Sequence, residues 1–350
     1  MQPTRPIKKT TTAARPLGRL GAFLLVTLAL VLITLLGVIW VVEKGPSPTV
    51  TEKFCRSMRE TSAIQWIPNI FLTEEEVAAL KSESTENDET ESVNTSLIRV
   101  APAASDGEDS GNNGVELVSI AHGSAKGKLL IVHDPSRVIL GVSTEEFSAQ
   151  IPGLQLTALV EKYGGIAGTN AGGFNDENGH GNGGVPQGLV ISGGALLNTG
   201  KDGENLNVIG FDGDHILHVG TMTADEALAL GITDAVSFRT HDGLASALII
   251  NGEIQTKNLG GGVNPRTAIG QCADGSVLLL VLDGRSISTL GATMQDVADI
   301  MLDYGAVNAG NLDGGSSSVM VYDGEIINNC ASVTGPRNIP TAFVVLPEGD

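Results

Sequence analysis

Between Leu20 and Val42 the chain runs for 23 residues without a charged side chain, LGAFLLVTLALVLITLLGVIWVV. About 20 apolar residues, at a rise of ~1.5 Å each, cross the ~30 Å hydrocarbon core of a bilayer, so this run predicts one transmembrane helix, residues 20–42. Five basic and no acidic side chains precede it, a bias that keeps the basic leader, residues 1–19, in the cytoplasm. We therefore expect a single-pass protein of the cell membrane whose C-terminal domain is extracellular.

A cleaved signal peptide is the alternative interpretation of this apolar run. The apolar region of a signal peptide has about 7–15 residues and is followed by small residues at the cleavage site. The run in this chain is longer and ends in the bulky residues Ile39, Trp40, Val41 and Val42. Its length and its bulky end favour an uncleaved anchor.

The charge of the chain changes sign after the apolar run. Five of the 21 Lys and Arg residues lie in residues 1–42, so residues 43–350 hold 16 basic and 40 acidic residues, a formal charge of −24. Nucleic acid is excluded as a partner, because binding it requires a basic surface. Three Cys in 350 residues also exclude a small disulfide-stapled protein.

The residues that follow the anchor predict a stalk and a spacer, residues 43–114. Within it, FLTEEEVAALK predicts a short helix with Thr73 as its N-cap and Glu76 at the capping-box position. From Ser82 to Gly114 the composition is polar with few apolar residues, which predicts a flexible acidic spacer. The folded domain is expected to span residues 115–350.

Short runs rich in β-branched residues alternate with turn sequences throughout this domain. Asn251-Gly252 and Asp323-Gly324 each predict a two-residue hairpin turn. Helices are predicted at LQLTALVEKYG and after Thr223 and Thr293, and the last has apolar residues at helical spacing. The fold class expected is α+β, a mixed and largely antiparallel sheet with a few packed helices.

Glycine-rich loops carry the unusual polar side chains of the domain, and small residues let the backbone approach a ligand closely. One loop runs from Gly164 to Asp176 and includes Asn170. Its amide and carboxylate groups suit sugar hydroxyls, although a tight turn stabilised by Asn and Asp is the alternative. A second loop, Gly260–Gly270, places Arg266 at the entrance of a strand. Its guanidinium matches two phosphate oxygens, and the alternative is a surface ion pair.

Two further loops place an aspartate at the exit of a strand that should be buried. Asp283 lies in LDGR, beside Arg285, and Asp313 lies in NLDGGSSS. A buried carboxylate must be paired or hydrogen-bonded, and Arg285 or the neighbouring serines suit that need. Since Asp-Gly also occurs in ordinary turns, neither loop by itself indicates a catalytic site.

No residue pattern in the chain requires a cofactor. The six His residues lack the spacing of zinc ligands, so no metal site is predicted from them. The acidic loops leave calcium open, although no EF-hand pattern is present. Cys272 and Cys330 are candidates for a disulfide outside the cell.

Six segments, in their order along the chain, resemble the phosphodiester glycosidase family. They are GTNAGGFND, GNGGVPQG, the DGL at 242–244, NPRTAIG, LDGR and NLDGGSSS. NPRTAIG followed by LDGGSSS is a specific pair, and the resemblance extends from Val115 to Leu346. It implies removal of a sugar from a sugar-1-phosphodiester, with GlcNAc as the best-known sugar. Gln187 and His241-Asp242 depart from the usual pattern and bear on the shape of the pocket.

The implied reaction fits these residue types. Splitting the bond between C1 and oxygen expels a phosphate whose second pKa is about 6, so a strong general acid is less necessary. The site needs a cationic clamp and a carboxylate that activates water or stabilises the sugar cation. The candidate catalytic carboxylates are Asp313, then Asp283 and Asp176. The candidate substrate-binding residues are Arg266, which is the clamp, with Asn170, Thr267, Ser316, Ser317, Arg285 and Arg337.

The expected partners are a glycan or sugar-phosphodiester substrate and, through the N-terminal helix, the membrane. The proposed role lies in exopolysaccharide or cell-envelope glycan metabolism. A non-catalytic envelope protein that binds or assembles an anionic glycopolymer is the alternative function, because the same Arg, Asn and Gly loops would suit it. A metal-dependent phosphodiesterase that attacks phosphorus is a third.

Overall fold

A computed structural model describes residues 16–60, 64–80, 92–100, 114–176, 181–201, 203–239, 246–256, 259–284, 286, 289–332 and 335–349. The chain divides into two compact units, Met1–Thr51 and Glu52–Asp350. The described part of the first unit contains one helix that is long and apolar enough to cross a membrane, Leu20–Lys44, with a mean hydropathy of 2.9. The predicted N-terminal apolar helix is therefore present in the structure.

The described helices are α1 (Pro16–Lys44), α2 (Pro48–Arg59), α3 (Glu74–Ala79), α4 (Leu156–Lys162), α5 (Ala224–Ala229) and α6 (Met294–Asp303). The described strands are β1 (Val115–His122), β2 (Ala125–Val132), β3 (Val138–Val142), β4 (Ala167–Asn170), β5 (Val190–Ser192), β6 (Ala195–Asn198), β7 (Leu206–Asp212), β8 (Leu217–Met222), β9 (Ile232–Ser237), β10 (Ala247–Ile250), β11 (Glu253–Ile254), β12 (Arg266–Cys272), β13 (Val277–Leu282), β14 (Ala306–Asn311), β15 (Met320–Tyr322), β16 (Glu325–Ile326) and β17 (Thr341–Val345).

These strands form three sheets. The largest has the order β1-β2-β13-β12-β14-β10-β11, and the two five-stranded sheets have the orders β16-β15-β4-β17-β3 and β6-β5-β9-β7-β8. Every strand pair in the described part of the chain is antiparallel. The α+β class with antiparallel pairing is confirmed, and the strands divide over three sheets.

The central strands of the sheets meet in one apolar core. Phe211 of β7 and Phe343 of β17 pack edge to face, with 6.2 Å between their ring centroids, and both are buried. α6 covers the other face of the largest sheet, where Val297 and Met301 are fully buried. Burial of one such side chain contributes roughly 1.5–3 kcal/mol to the free energy of folding. Apolar packing on both of its faces therefore stabilises the largest sheet.

Several local predictions are confirmed. Thr73 with Glu76, Thr223 with Glu226, and Thr293 with Asp296 each form a capping box at the start of α3, α5 and α6. Asn251-Gly252 joins β10 to β11, and Asp323-Gly324 joins β15 to β16. All four turn residues have positive φ, as a type I′ hairpin turn requires.

Two expectations differ from the structure. In the segment expected to be a flexible spacer, residues 92–100 lie on the domain, where the Arg99 backbone N–H donates to the Ala273 carbonyl at 2.8 Å. Backbone hydrogen bonds offset the ordering entropy that the polar composition cannot offset alone. Cys272 and Cys330 are free thiols, and the Cys272 Sγ donates instead to the Tyr304 carbonyl at 3.3 Å.

Candidate active site

The register of the largest sheet brings the predicted site loops to one edge. Arg266 is the first residue of β12 and pairs with Leu282, the last residue of β13. β12 also pairs with β14, with Ala268 opposite Asn311. Since the start of a strand lies beside the end of its antiparallel neighbour, the residues after β13 and β14 emerge next to Arg266.

Arg266 is almost fully buried, with 5% of its surface exposed. Its Nε donates to the Ala292 carbonyl at 3.2 Å, and its Nη2 donates to the Gly262 carbonyl at 2.6 Å. The same Nη2 lies 2.8 Å from the carboxylate of Glu60. The guanidinium is thus held in a fixed orientation by two carbonyl oxygens and one anion.

Asp313 lies on a tight loop that follows β14. Its backbone N–H donates to the Ala171 carbonyl at 3.0 Å, and its carbonyl accepts from Asn170 Nδ2 at 2.6 Å. Gly315 has a φ of 63° and donates its N–H to the Pro265 carbonyl at 2.9 Å. Because glycine adopts that φ more readily than residues with a side chain, Gly315 lets the Asp313 loop turn back onto the residue before Arg266.

Burial raises the pKa of Asp313 to about 7, which is the largest of the influences on this carboxyl. A hydrogen bond from Ser317 and the charge of Arg337 act in the opposite direction. Asp313 nevertheless lines a pocket and is partly exposed, so this residue combines a largely buried carboxyl with access to solvent. A carboxyl that titrates near neutral pH is suited to proton transfer.

Arg266 and Asp313 line the same pocket. The pocket is lined by Glu60, Phe238, Asn264, Arg266, Asp313, Gly314 and Gly315. A guanidinium, a carboxyl of raised pKa and an aromatic ring therefore share one cavity.

Asp176 and Arg337 form an ion pair with each other. The Arg337 guanidinium lies over the ring of Phe174, 4.8 Å from its centroid, and its Nη1 is 3.5 Å from the Ser316 hydroxyl. Neither charged residue lines the pocket. Their charges act on Asp313 from the side, with Arg337 lowering and Asp176 raising the pKa of that carboxyl.

Asn170 and Thr267, predicted as ligands of sugar hydroxyls and phosphate oxygens, have internal partners instead. Asn170 Oδ1 accepts from Thr267 Oγ1 at 2.9 Å and from the Val319 backbone N–H at 3.1 Å. Both side chains are buried, with 1% and 0% of their surface exposed. Since Asn170 Nδ2 also donates to the Asp313 carbonyl, this buried pair positions the Asp313 loop. Ser317 is also buried and bonds to the Asp313 carboxyl.

Asp283 follows β13 as predicted, but its carboxylate binds another loop. Its Oδ1 accepts from the Asn329 backbone N–H and its Oδ2 from Asn329 Nδ2, both at 2.9 Å. It does not line the pocket. Arg285 lies outside the described residues, as do His241 and Asp242. Among the residues that the structure describes, no group of three or more His, Cys, Asp or Glu could hold a metal ion, so the calcium interpretation gains no site there.

Sequence reasoning missed Glu60, Phe238 and Asn264. Phe238 directly follows β9, and an aromatic residue at the end of a strand beside the DGL segment was an available signal. Asn264 lies in the NPRTAIG motif itself. Glu60 precedes the predicted domain by more than 50 residues, and no pattern in the sequence connects it with Arg266.

Comparison with known proteins agrees with the resemblance seen in the sequence. A family model described as phosphodiester glycosidase matches residues 163–346, just over half of the chain. The SPbeta prophage-derived uncharacterized protein YomE of Bacillus subtilis (strain 168) is 37% identical over 87 residues. That match covers 25% of this chain and spans 14% of the length of YomE.

A solved structure shows the same fold. The zebrafish N-acetylglucosamine-1-phosphodiester alpha-N-acetylglucosaminidase catalytic domain, auto-inhibited by pro-peptide, superposes with a TM-score of 0.57 at 20% identity. The match covers 77% of this chain and 91% of the zebrafish chain. A hypothetical protein from Synechocystis has a TM-score of 0.48 at 14% identity, covering 67% of this chain and 62% of its own.

Proposed function

Because the chain belongs to the phosphodiester glycosidase family, we propose that it hydrolyses a sugar-1-phosphodiester to free sugar and a phosphomonoester. The reference substrate is a GlcNAc-1-phosphodiester. The N-terminal helix anchors the enzyme in the cell membrane, and the C-terminal domain works outside the cell in exopolysaccharide or envelope glycan metabolism. The observation that carries this proposal is the shared pocket of Arg266 and Asp313.

In this proposal Arg266 and Asn264 bind the phosphate group. A guanidinium presents a planar fork to two phosphate oxygens, and an amide N–H adds a third donor. The same donors already hold an oxyanion in the structure, since both contact the Glu60 carboxylate. Their burial strengthens the attraction, because few water molecules compete for the charge.

The deprotonated Asp313 carboxylate activates the attacking water, or stabilises the positive charge that develops at C1. Its raised pKa makes it a stronger base than an exposed carboxylate. The departing phosphate needs little protonation at neutral pH, so one carboxyl near C1 suffices. Phe238 supplies the apolar surface on which the sugar ring rests.

The bond that breaks is tested by hydrolysis in ¹⁸O-water. Full-length protein in detergent micelles is incubated with a GlcNAc-1-phosphodiester, and both products are analysed by mass spectrometry. Cleavage between C1 and oxygen places the label in the sugar. Label in the phosphate means attack at phosphorus and contradicts the proposal. Tight binding with no sugar release at any pH would support the glycopolymer-binding alternative.

The phosphate clamp is tested with Arg266→Ala and Arg266→Lys. We expect Arg266→Ala to lower kcat/KM by about 10²-fold or more, as removal of one buried charge-stabilising donor does in other sites. Arg266→Lys keeps the charge but loses the fork, so its loss should be smaller. Exposed Arg99 provides the control variant Arg99→Ala, which should keep wild-type kinetics. Wild-type kinetics in folded Arg266→Ala would remove Arg266 from the site.

A further inference from the structure

A polar surface lies beside the pocket, on the short segment that follows β4. The Asp313 backbone N–H donates to the Ala171 carbonyl, so this segment starts at the loop of the candidate catalytic carboxyl. Two residues further on, the Gly173 backbone N–H donates to the Ser237 carbonyl at 3.2 Å, and the Gly173 carbonyl accepts from the Gln187 N–H at 2.8 Å. Gly173 is therefore held between the end of β9 and Gln187.

The absence of a side chain at Gly173 brings two other side chains close together over bare backbone. A Cβ at this position would lie 3.2 Å from Gln187 Oε1 and 3.3 Å from Cδ2 of the Phe238 ring. The amide of Gln187 and the ring of Phe238 are thus neighbours across one glycine. Because Phe238 lines the pocket, the Gln187 amide lies at the edge of the candidate active site.

The Gln187 side chain is accessible to a ligand. It is exposed, and among the residues that the structure describes its one hydrogen bond is long, from Nε2 to Asn175 Oδ1 at 3.5 Å. Asn175 is exposed as well. Each amide side chain offers two N–H donors and a carbonyl acceptor. Two neighbouring amides therefore present donors and acceptors to solvent beside an aromatic ring.

We propose that Gln187, together with Asn175, binds a neutral hydrogen-bonding substituent of the sugar ring, either a hydroxyl or an acetamido group, and so determines which sugars the pocket accepts. This inference rests on the proposed function, in which Arg266 binds the phosphate and the sugar ring rests on Phe238. A pyranose ring that lies on an aromatic face directs its polar substituents outward from its edge, and the Gln187 amide lies next to that face.

Such a contact gives selectivity for the substituent. A hydroxyl or acetamido group both donates and accepts hydrogen bonds, as the amide does. A site that binds a polar substituent discriminates against a ligand that lacks it, because the polar group of the site then loses its partner. The effect of Gln187 should therefore depend on the ligand and should be absent for a ring without polar substituents.

The test compares two phosphodiesters of equal charge. The methyl diester of α-GlcNAc-1-phosphate carries the sugar, whereas cyclohexyl methyl phosphate carries a six-membered ring without hydroxyl or acetamido groups. The Kd of each is measured by calorimetry with full-length protein in detergent micelles. All variants also carry Asp313→Asn, so that turnover is too slow to consume the sugar diester during the measurement.

We expect Gln187→Ala to raise the Kd for the sugar diester about three- to tenfold, as the loss of one or two hydrogen bonds does, and to leave the Kd for cyclohexyl methyl phosphate unchanged. Phe238→Ala should raise both Kd values, because either ring loses its apolar surface. Gln295→Ala is the matched control and should change neither. Gln295 is an exposed glutamine of α6 whose Nε2 donates to Asp299 at 2.7 Å.

Since Gln187 is exposed, its replacement should leave cooperative thermal unfolding intact. An unchanged Kd for the sugar diester in Gln187→Ala overturns the inference. An equal rise for both ligands also overturns it, because the amide would then act on the phosphate or on the pocket as a whole. If binding of the sugar diester depends on Gln187 and no form of the protein releases sugar, the sugar contact stands and the hydrolase proposal fails. If protein with Asp313 intact releases sugar, and Gln187→Ala does so with the same kcat/KM, the hydrolase proposal stands and the sugar contact fails.

Discussion

Asp313 is the residue whose protonation state has the widest consequences. Burial raises the pKa of its carboxyl to about 7, so the base form makes up about half of the molecules at neutral pH and predominates above it. We expect kcat/KM for the diester to rise with pH through about 7 and then to level off. Asp313→Asn should lower kcat/KM by about 10²–10⁴-fold and abolish this pH dependence. Steady-state kinetics between pH 5 and 9 measure both effects, and a rising limb that persists in folded Asp313→Asn would assign it to another group.

Asp313→Asn should also change how the free energy of unfolding depends on pH. A carboxyl whose pKa is raised in the folded state favours the protonated folded protein, so its stabilising effect is present below its unfolded pKa of about 4 and is lost as the pH rises to about 7. We expect Asp313→Asn to gain stability relative to wild type over that range, by on the order of 4 kcal/mol. Thermal unfolding at pH 4, 5.5 and 7.5 checks this. A constant difference would mean that the carboxyl titrates normally.

At the scale of an element, the hairpin of β7 and β8 depends on one buried pair. Asp212 Oδ2 lies 2.8 Å from His218 Nε2, while Asp212 Oδ1 accepts the backbone N–H groups of Asp214 and Ile216. Burial alone would raise the pKa of Asp212, but the bond from His218 and the two backbone bonds outweigh it and lower the pKa.

That lowered pKa predicts how the hairpin responds to acid. The stabilisation is present above the unfolded pKa of about 4 and is lost as the pH falls through the folded pKa. Asp212→Asn should destabilise the protein at pH 7 by roughly 1–3 kcal/mol, and the difference from wild type should shrink below pH 4. Chemical unfolding at pH 7 and pH 3.5 measures it. Asp214→Asn, at an exposed position of the same turn, is the control, and an equal loss in both variants would mean that the His218 pair contributes nothing.

The elements that were predictable are those fixed by neighbours in sequence. The capping box of Thr293 with Asp296 spans three residues, and the hairpin at Asn251-Gly252 needs two positive φ angles. The placement of Arg266 at a strand entrance also followed from its local motif. In each of these features the interacting groups are close in sequence, so their contact does not depend on the tertiary structure.

Features that depend on distant segments were not accessible in this way. Asn170 has the side chain of a ligand, but its amide is used up by Thr267 and by the backbone around Asp313. Glu60 reaches Arg266 across 206 positions of sequence, and only the packing of α2 on the glycine run shows it. The types of residue in the sequence therefore indicate the chemistry of the site, whereas tertiary packing decides which residues of each type lie in it.

At the scale of the whole molecule, the protein and its proposed substrate carry charges of the same sign. Residues 43–350 have a formal charge of −24, and a phosphodiester is an anion. We therefore expect this part of the chain to repel such an anion at long range, and Arg266 to attract it only at contact distance. The Debye screening length shortens from ~30 Å in 0.01 M salt to ~8 Å in 0.15 M salt. Added salt should therefore remove the long-range repulsion before it weakens the contact between the buried Arg266 and a phosphate group.

We expect kcat/KM for an anionic sugar-1-phosphodiester to rise by several-fold, roughly three- to tenfold, between 0.01 and 0.15 M NaCl, because encounter rates depend on the summed field of the protein. A diester whose aglycone carries an amine has no net charge and provides the matched control, since its kcat/KM should change little. Initial rates at substrate concentrations well below KM give both values for the full-length protein. A fall in kcat/KM for the anionic diester with added salt would contradict this prediction. It would mean that attraction by the positive charge of the pocket, and not repulsion by the acidic surface, determines the rate at which substrate binds.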